Sequence, residues 1–151
     1  LAQALGERCG VPVCDLDRLQ WGGTYGQRRP EAERAAMLRE VLSQENWIIE
    51  GVYYAWTAET FAQADVICLL EPPLALCRRR VIRRYCRRKR DGTGHGETLR
   101  SLRALLRWMD TFQTRNLPAI REALAPYEGK TLRVTKAMPT EDILAALEDI
   151  L

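Results

Sequence analysis

Four short apolar segments, separated by longer helix-like stretches, constrain the fold of this chain more than any other feature. They lie at residues 11–16, 47–49, 66–70 and 132–135. Most of their positions are apolar in continuous runs, which is typical of strands buried on both faces. Strands that alternate with helices in this way predict an α/β fold, in which a parallel sheet is covered by helices on both faces.

The 151 residues are enough for a single domain, expected to span residues 1–151, with a small appendage. Apolar periodicity predicts helices at residues 1–9, 30–44, 57–63, 74–89, 97–113, 117–125 and 140–151. The same periodicity predicts which face is buried in two of these helices. The buried residues are Ala36, Met37, Val41 and Leu42 in the helix at 30–44, and Leu74, Cys77, Val81, Ile82 and Tyr85 in the helix at 74–89. The most apolar strand segment, VICLL at residues 66–70, is too short to span a bilayer, so no membrane partner is expected.

Acidic residues follow three of the four predicted strands. Asp15 and Asp17 end the first, Glu50 ends the second and Glu71 ends the third. Ligands bind at the carboxyl ends of parallel strands, where a carboxylate can hold a metal, a metal-bound water or a substrate hydroxyl. Glu50 in particular suits Mg²⁺ beside phosphates. The alternative is structural: the two aspartates form a turn or cap a helix, and Glu50 is a plain loop acid.

A strongly basic segment occupies residues 78–90, with eight arginines, one lysine and no acid. The chain carries a net charge of +3, so the remaining residues sum to −6. Arg80, Arg84 and Arg88 fall on one helical face, followed by a loop with three glycines. Guanidinium groups beside a mobile loop suit closure over phosphate oxygens, which predicts an arginine-rich lid at about residues 87–98 that is mobile without ligand. The alternative is a solvated basic face with no ligand.

The remaining reactive side chains favour simpler interpretations. Five cysteines without a CxxC pair, together with the single His95, form no zinc pattern, and they predict buried reduced thiols in a cytoplasmic protein. His95 lies between glycines and is expected to be a solvated loop residue. Trp21 follows the first strand, where it either stacks on a nucleotide base or packs against the protein.

Three segments resemble the small bacterial adenylate-kinase-like P-loop proteins that are known as DNA topology modulation proteins. VPVCDLDRLQW at residues 11–21 is similar to their IPVxxLDxLxW, and WIIEGVY at residues 47–53 is similar to WIIDGNY. ADVICLLE at residues 64–71, with Cys77, Arg80 and Val81, is similar to ADxVIxLDxPRxxCLxRV. Glu50, Val52 and Leu74 depart from the family's Asp, Asn and Arg.

The resemblance implies a P-loop kinase fold that uses ATP with Mg²⁺. It implies that Asp17 and Glu50 face the phosphate acceptor, that Glu50 meets Mg²⁺, and that Arg80 and Arg84 take part in catalysis from the lid. Substrate contacts would come from Asp15, Trp21, Tyr53, Arg87 and Arg88. Nothing in the sequence matches the phosphate-binding pattern GxxxxGK[ST]. We therefore expect a strand and a phosphate loop upstream of Leu1, filling a gap between the strands at 47–50 and 66–70.

Two functions follow as expectations. The first is ATP-dependent phosphoryl transfer to a nucleotide or another small phosphate acceptor. The alternative is a non-catalytic nucleic-acid-binding protein that modulates DNA topology through the arginine-rich helix. A DNA-binding protein usually shows a broad basic face, and the net charge of −6 outside residues 78–90 argues against one.

Overall fold

Helices dominate this protein, and its strands are few and short. The computed structural model describes residues 1–22, 27–94, 96–135 and 138–148, and helix covers 63% of the structure. The α-helices are α1 (Ala2–Cys9), α2 (Leu16–Gln20), α3 (Glu31–Leu42), α4 (Ala58–Gln63), α5 (Leu74–Arg90), α6 (Leu99–Thr111), α7 (Leu117–Leu124) and α8 (Thr140–Glu148). A π-helical turn at Phe112–Asn116 and a 3₁₀ segment at Ala125–Lys130 flank α7. The strands are β1 (Val13–Asp15), β2 (Ile48–Glu50), β3 (Ile67–Leu70) and β4 (Thr131–Val134).

The strands form two separate parallel pairs. β1 pairs with β2, with Val13 opposite Ile48, and β3 pairs with β4, with Ile67 opposite Thr131. The prediction of one parallel sheet covered by helices on both faces is therefore wrong. Within the described part of the chain, each strand has a single hydrogen-bonded neighbour and is only partly buried, and Leu70 in β3 is 46% exposed. An apolar run shows that a strand avoids water, but it does not show how many strands lie beside it.

The chain divides into two compact units. The first unit comprises Leu1–Val66 and Thr140–Leu151, and the second comprises Ile67–Pro139. Within the described residues, no helix is both long enough and apolar enough to cross a membrane.

The first unit packs α2 and α3 against the β1–β2 pair. Leu16, Leu19 and Leu38 form its buried cluster, and Ile49 and Trp56 pack against them. The predicted inner face of α3 is partly wrong, because Ala36 is exposed while Met37, Val41 and Leu42 are half-buried. The fully buried positions of α3 are Arg34 and Leu38, which are one helical turn apart.

The second unit buries the hydrophobic faces of α7 and β4 but leaves α5 on the surface. Its buried apolar side chains are Met109, Leu117, Ile120, Leu124 and Val134. α5 contributes no buried residue, so the predicted buried stripe is wrong: Ile82 is 44% exposed, and Leu74, Cys77, Val81 and Tyr85 are half-buried. Arginines flank this stripe closely, so α5 packs shallowly while its guanidinium groups stay in water.

Candidate functional site

The carboxyl ends of β1 and β2 bring three predicted acids to one edge. Asp15 and Glu50 are register partners in the parallel pair, and Asp17 follows in the first turn of α2. This is the edge at which parallel strands present ligand-binding groups. The fourth acid, Glu71, belongs to the second unit, where it pairs with arginines.

Asp15 has the structural role that the sequence left open. Its Oδ1 accepts the backbone N–H of Asp17 at 2.8 Å, and Asp15 is the N-cap residue of α2. A capping carboxylate satisfies an N–H group that has no partner inside the helix. Asp15 therefore positions Asp17, and it adds negative charge beside it.

Tyr53 links Asp17 and Trp21. The Tyr53 hydroxyl donates to Asp17 Oδ1 at 2.5 Å, and the Trp21 side chain is close enough to lower the pKa of that hydroxyl. Burial, followed by the hydrogen bond to Asp17, raises the pKa of Tyr53 to about 12. Tyr53 therefore stays a neutral donor at physiological pH. The structure brings together three residues for which the sequence predicted contact with substrate or acceptor.

Asp17 keeps the capacity to accept further hydrogen bonds. Among the described residues, the only side chain that donates to it is Tyr53, and Asp17 itself is exposed. A carboxylate has about four acceptor positions, so one oxygen remains open to a substrate hydroxyl. Trp21 is 40% exposed beside it and offers an aromatic face to a bound ligand.

Glu50 is the residue at this edge that could bind Mg²⁺. Its side chain is exposed at the end of β2, opposite Asp15. The described residues contain no group of three His, Cys, Asp or Glu side chains that could hold a metal ion alone. Mg²⁺ commonly binds to one or two carboxylates together with substrate phosphates, and Glu50 fits that mode.

Most cations of the basic segment have no acidic partner among the residues that the structure describes. Three of its arginines form ion pairs: Arg88 with Glu97 at 2.6 Å, Arg90 with Asp91 at 3.0 Å, and Arg78 with Asp110. Among the described residues, the remaining six cations form no ion pair: Arg79, Arg80, Arg83, Arg84, Arg87 and Lys89. Among the predicted lid and phosphate residues, Arg88 is therefore already paired, and a phosphate role for Arg80, Arg84 and Arg87 stays a prediction.

The arginines also line two open depressions on the surface of α5. One, of about 380 Å³, is bordered by Arg83, Cys86, Arg87 and Arg90. The other is bordered by Arg78, Arg79 and Arg83 with two apolar side chains. Shallow, cation-lined surfaces of this kind suit extended phosphates better than a small apolar ligand.

The predicted lid, at about residues 87–98, begins with the last turn of α5, and a hydrogen-bonded turn follows that helix. The backbone N–H groups of Thr93 and Gly94 donate to Arg88 O at 3.0 and 3.1 Å. Thr98 and Ser101 then form a reciprocal cap at the start of α6. His95 lies outside the described residues, and the mobility of the lid without ligand stays a prediction.

The thiols are free, but two of them are exposed. All five cysteines are unpaired, and Cys9 and Cys86 lie on the surface, which contradicts their predicted burial. Burial raises the pKa of the Cys14 and Cys68 thiols, so both favour the unreactive protonated form.

Sequence reasoning missed two charged clusters. In the first unit, Arg34 is buried against Gln20 and Trp56. In the second, Glu71 binds Arg121 and Arg133. No local signal marked Arg34, because charge alone places an arginine in water and the predicted inner face of α3 did not include it.

Comparison with known proteins identifies no relative: no family model, curated protein or solved structure matches this chain.

Proposed function

We propose that this protein transfers a phosphoryl group from ATP to a nucleotide or another small acceptor that binds beside Asp17. The observation that carries the proposal is the Tyr53–Asp17 hydrogen bond at the carboxyl edge of β1 and β2. Tyr53 orients the carboxylate, and the open oxygen of Asp17 accepts the proton of an acceptor hydroxyl. The resemblance of residues 11–21 and 47–53 to adenylate-kinase-like proteins supports the same assignment.

Phosphoryl transfer depends mainly on positioning and electrostatic stabilisation, and the chain has suitable groups for both. In the proposed reaction, a P–O bond forms to the acceptor oxygen, the bond to the donor's bridging oxygen breaks, and ADP leaves. Arg80 and Arg84 belong to the second unit, where they lie one turn apart on α5 and form no ion pair among the described residues. Mg²⁺, when bound, neutralises phosphate charge, and Glu50 is the residue that would hold it.

The described residues do not form the phosphate cradle of a P-loop. No glycine-rich turn with the GxxxxGK[ST] pattern occurs in the sequence, and its three lysines lie at positions 89, 130 and 136. Phosphate contact by a P-loop lysine is therefore not part of the proposed reaction.

The test is phosphoryl transfer from radiolabelled ATP with Mg²⁺ to a panel of nucleosides and nucleoside monophosphates. Asp17→Asn should lower the turnover of a hydroxyl acceptor by about 10²–10⁴-fold, the usual contribution of a general base. Asp65→Asn, an exposed aspartate of the same unit, is the matched control and should retain full activity. Absence of transfer by the unmodified protein, or equal activity of the two variants, would overturn the proposal.

A second candidate function is nucleic-acid binding by α5. The unpaired cations along this helix, and the depressions that they border, favour it. Binding through six cations would give a slope of log K against log salt of roughly −5 for duplex DNA. Replacing Arg79, Arg83 and Arg87 with alanine should flatten that slope by about half. A DNA affinity that does not change with salt concentration would exclude this candidate.

A further inference from the structure

The charge of the chain is divided unevenly between its two units. The second unit contains 17 of the 23 lysines and arginines but only six of the 20 acids, which gives it a net charge of +11. The first unit contains the other six cations and 14 acids, which gives it a net charge of −8. The net charge of −6 outside residues 78–90 therefore conceals further basic residues in the second unit. A strongly basic unit attracts polyanions such as nucleic acid.

Helix α6 carries part of this charge. Its Arg100, Arg103 and Arg107 are exposed, and they form no ion pair within the parts of the chain that the structure describes. The carboxylate of α6, on Asp110, is already bound by Arg78 of α5. The arginines of α6 are therefore not neutralised by an acid of their own helix.

Trp108 lies among these arginines and is open to solvent. The residue is 46% exposed, and the centre of its ring lies 5.2 Å from the centre of the Phe112 ring. Its exposed neighbours one turn away on the helix, Ala104 and Thr111, have small side chains. Contact with Phe112 restricts the movement of the indole, whereas the small neighbours are too short to cover it. An indole that is supported and uncovered in this way is a platform on which a nucleic-acid base can stack.

Helical spacing places two arginines on the same face of α6 as Trp108. Five exposed residues recur on this face at intervals that follow the helix: Arg100, Ala104, Arg107, Trp108 and Thr111. Leu99, which is 61% exposed, precedes Trp108 by about two and a half turns and so lies on the opposite side of α6. Trp108 is the one large apolar residue of these five, whereas a protein-binding surface has a broader apolar centre.

We infer that this face of α6 binds single-stranded nucleic acid, with one base stacked on Trp108 and the adjacent phosphates bound by Arg100 and Arg107. A single strand exposes the faces of its bases, whereas the bases of a duplex stack on one another and leave no face for the indole. The inference deepens the second candidate function and rests on its premise that the second unit binds nucleic acid. It does not depend on phosphoryl transfer.

The experiment titrates the full chain into labelled oligothymidylate of about 12 nucleotides, and separately into a duplex of the same length, and follows fluorescence anisotropy. Trp108→Leu should weaken binding of the single strand by about 5- to 150-fold, the usual effect of removing one stacking side chain, and leave binding of the duplex unchanged. Leu99→Ala, an exposed leucine on the opposite side of the same helix, is the control and should change neither affinity. An unchanged affinity of Trp108→Leu for the single strand, or an equal loss for both strands, would overturn the inference.

A second variant tests the arginines, even if Trp108→Leu does not fold. Replacing Arg100 and Arg107 with glutamine should flatten the slope of log affinity against log salt for the single strand by roughly 1.4, because each phosphate contact contributes roughly 0.7. A slope that this variant does not change would overturn the inference. If replacement of Arg79, Arg83 and Arg87 in α5 alone weakens binding, the second candidate function stands and only this inference fails.

Polyglutamate separates stacking from charge. It carries many negative charges but has no base, so it should bind more weakly than oligothymidylate at the same salt concentration, and its affinity should be the same for Trp108→Leu and the unmodified protein. Tighter binding of polyglutamate than of oligothymidylate would show that this face of α6 fits an acidic polypeptide instead, and would overturn the inference.

Discussion

At the scale of single residues, Tyr53 organises the candidate site. Its hydroxyl donates to Asp17, and its ring contacts Trp56. The neutral phenol fixes the direction of the hydrogen bond to Asp17, since a phenolate would be repelled by that carboxylate. The side chains of the site are therefore ordered before any ligand binds.

The ionisation of Tyr53 reports on this arrangement. Its pKa is about 12 in the folded protein against an ordinary value of 10.0, so the unfolded chain loses this proton first as pH rises. The stability that Tyr53 contributes is therefore complete below pH 10 and declines as pH rises through about 12. Asp17→Asn should lower the pKa only part of the way, because burial of the ring is the larger cause. Phenolate absorbance, with Tyr53→Phe to identify the band, measures it, and an unchanged midpoint would contradict the coupling.

At the scale of elements, Glu71 joins β3, β4 and α7. It follows β3, its carboxylate accepts from Arg121 Nε at 2.7 Å and from Arg133 Nη2 at 2.9 Å, and its side chain is 3% exposed. The hydrogen bond from Arg121 is the main cause that lowers the pKa of Glu71. A two-stranded pair has little sheet to stabilise it, so this ionic contact at its carboxyl end ties it to the neighbouring helix.

Glu71→Gln should lower the free energy of unfolding by about 1–2 kcal/mol at neutral pH, since half-exposed arginines are partly screened by water. The pKa of Glu71 is lower in the folded state than its ordinary 4.5, so its contribution is present above that pH and is lost as pH falls through the folded value. Urea unfolding at neutral and at acidic pH measures both effects. Glu128→Gln, an exposed glutamate of the same unit, is the control, and equal effects of the two substitutions would contradict the prediction.

At the scale of the whole molecule, the chain leaves the first unit after Val66 and returns to it at Thr140. The returning helix, α8, contributes Ile143, Leu144 and Leu147 as buried side chains, and Leu144 is 0% exposed. Glu141 of α8 also pairs with Arg8 of α1. The first unit is thus completed by the last described helix of the chain.

Leu144→Ala should therefore destabilise the first unit by about 2–4 kcal/mol, the usual effect of truncating a fully buried leucine. Three of the four tryptophans, Trp21, Trp47 and Trp56, lie in that unit, so tryptophan fluorescence during urea unfolding reports mainly on it. The control is Leu99→Ala, because Leu99 is 61% exposed and its truncation should change stability by less than about 0.5 kcal/mol. A similarly small effect at Leu144 would show that α8 is dispensable.

The limits of sequence reasoning follow from how far each feature reaches along the chain. The acids at the ends of β1 and β2 were predictable, because a polar residue after an apolar run is a local signal. The burial of Arg34 was not, because charge alone places an arginine in water. The prediction of a single sheet was wrong because a strand's neighbours are set by tertiary contacts that its own residues do not encode. The contact between Asp17 and Tyr53 was predictable only in part, because the motif resemblance alone placed both residues at one site.

The parallel pairing of β3 with β4 also determines the order in which the second unit can fold. Ile67 pairs with Thr131, so every residue of α5, α6 and α7 lies in the loop that this contact closes. Helices form within about a microsecond. Pairing between strands that are distant in sequence is slower, because closing the long loop between them costs conformational entropy. The rate at which this unit reaches its native state is therefore set by the meeting of two four-residue strands, although helices make up most of its mass.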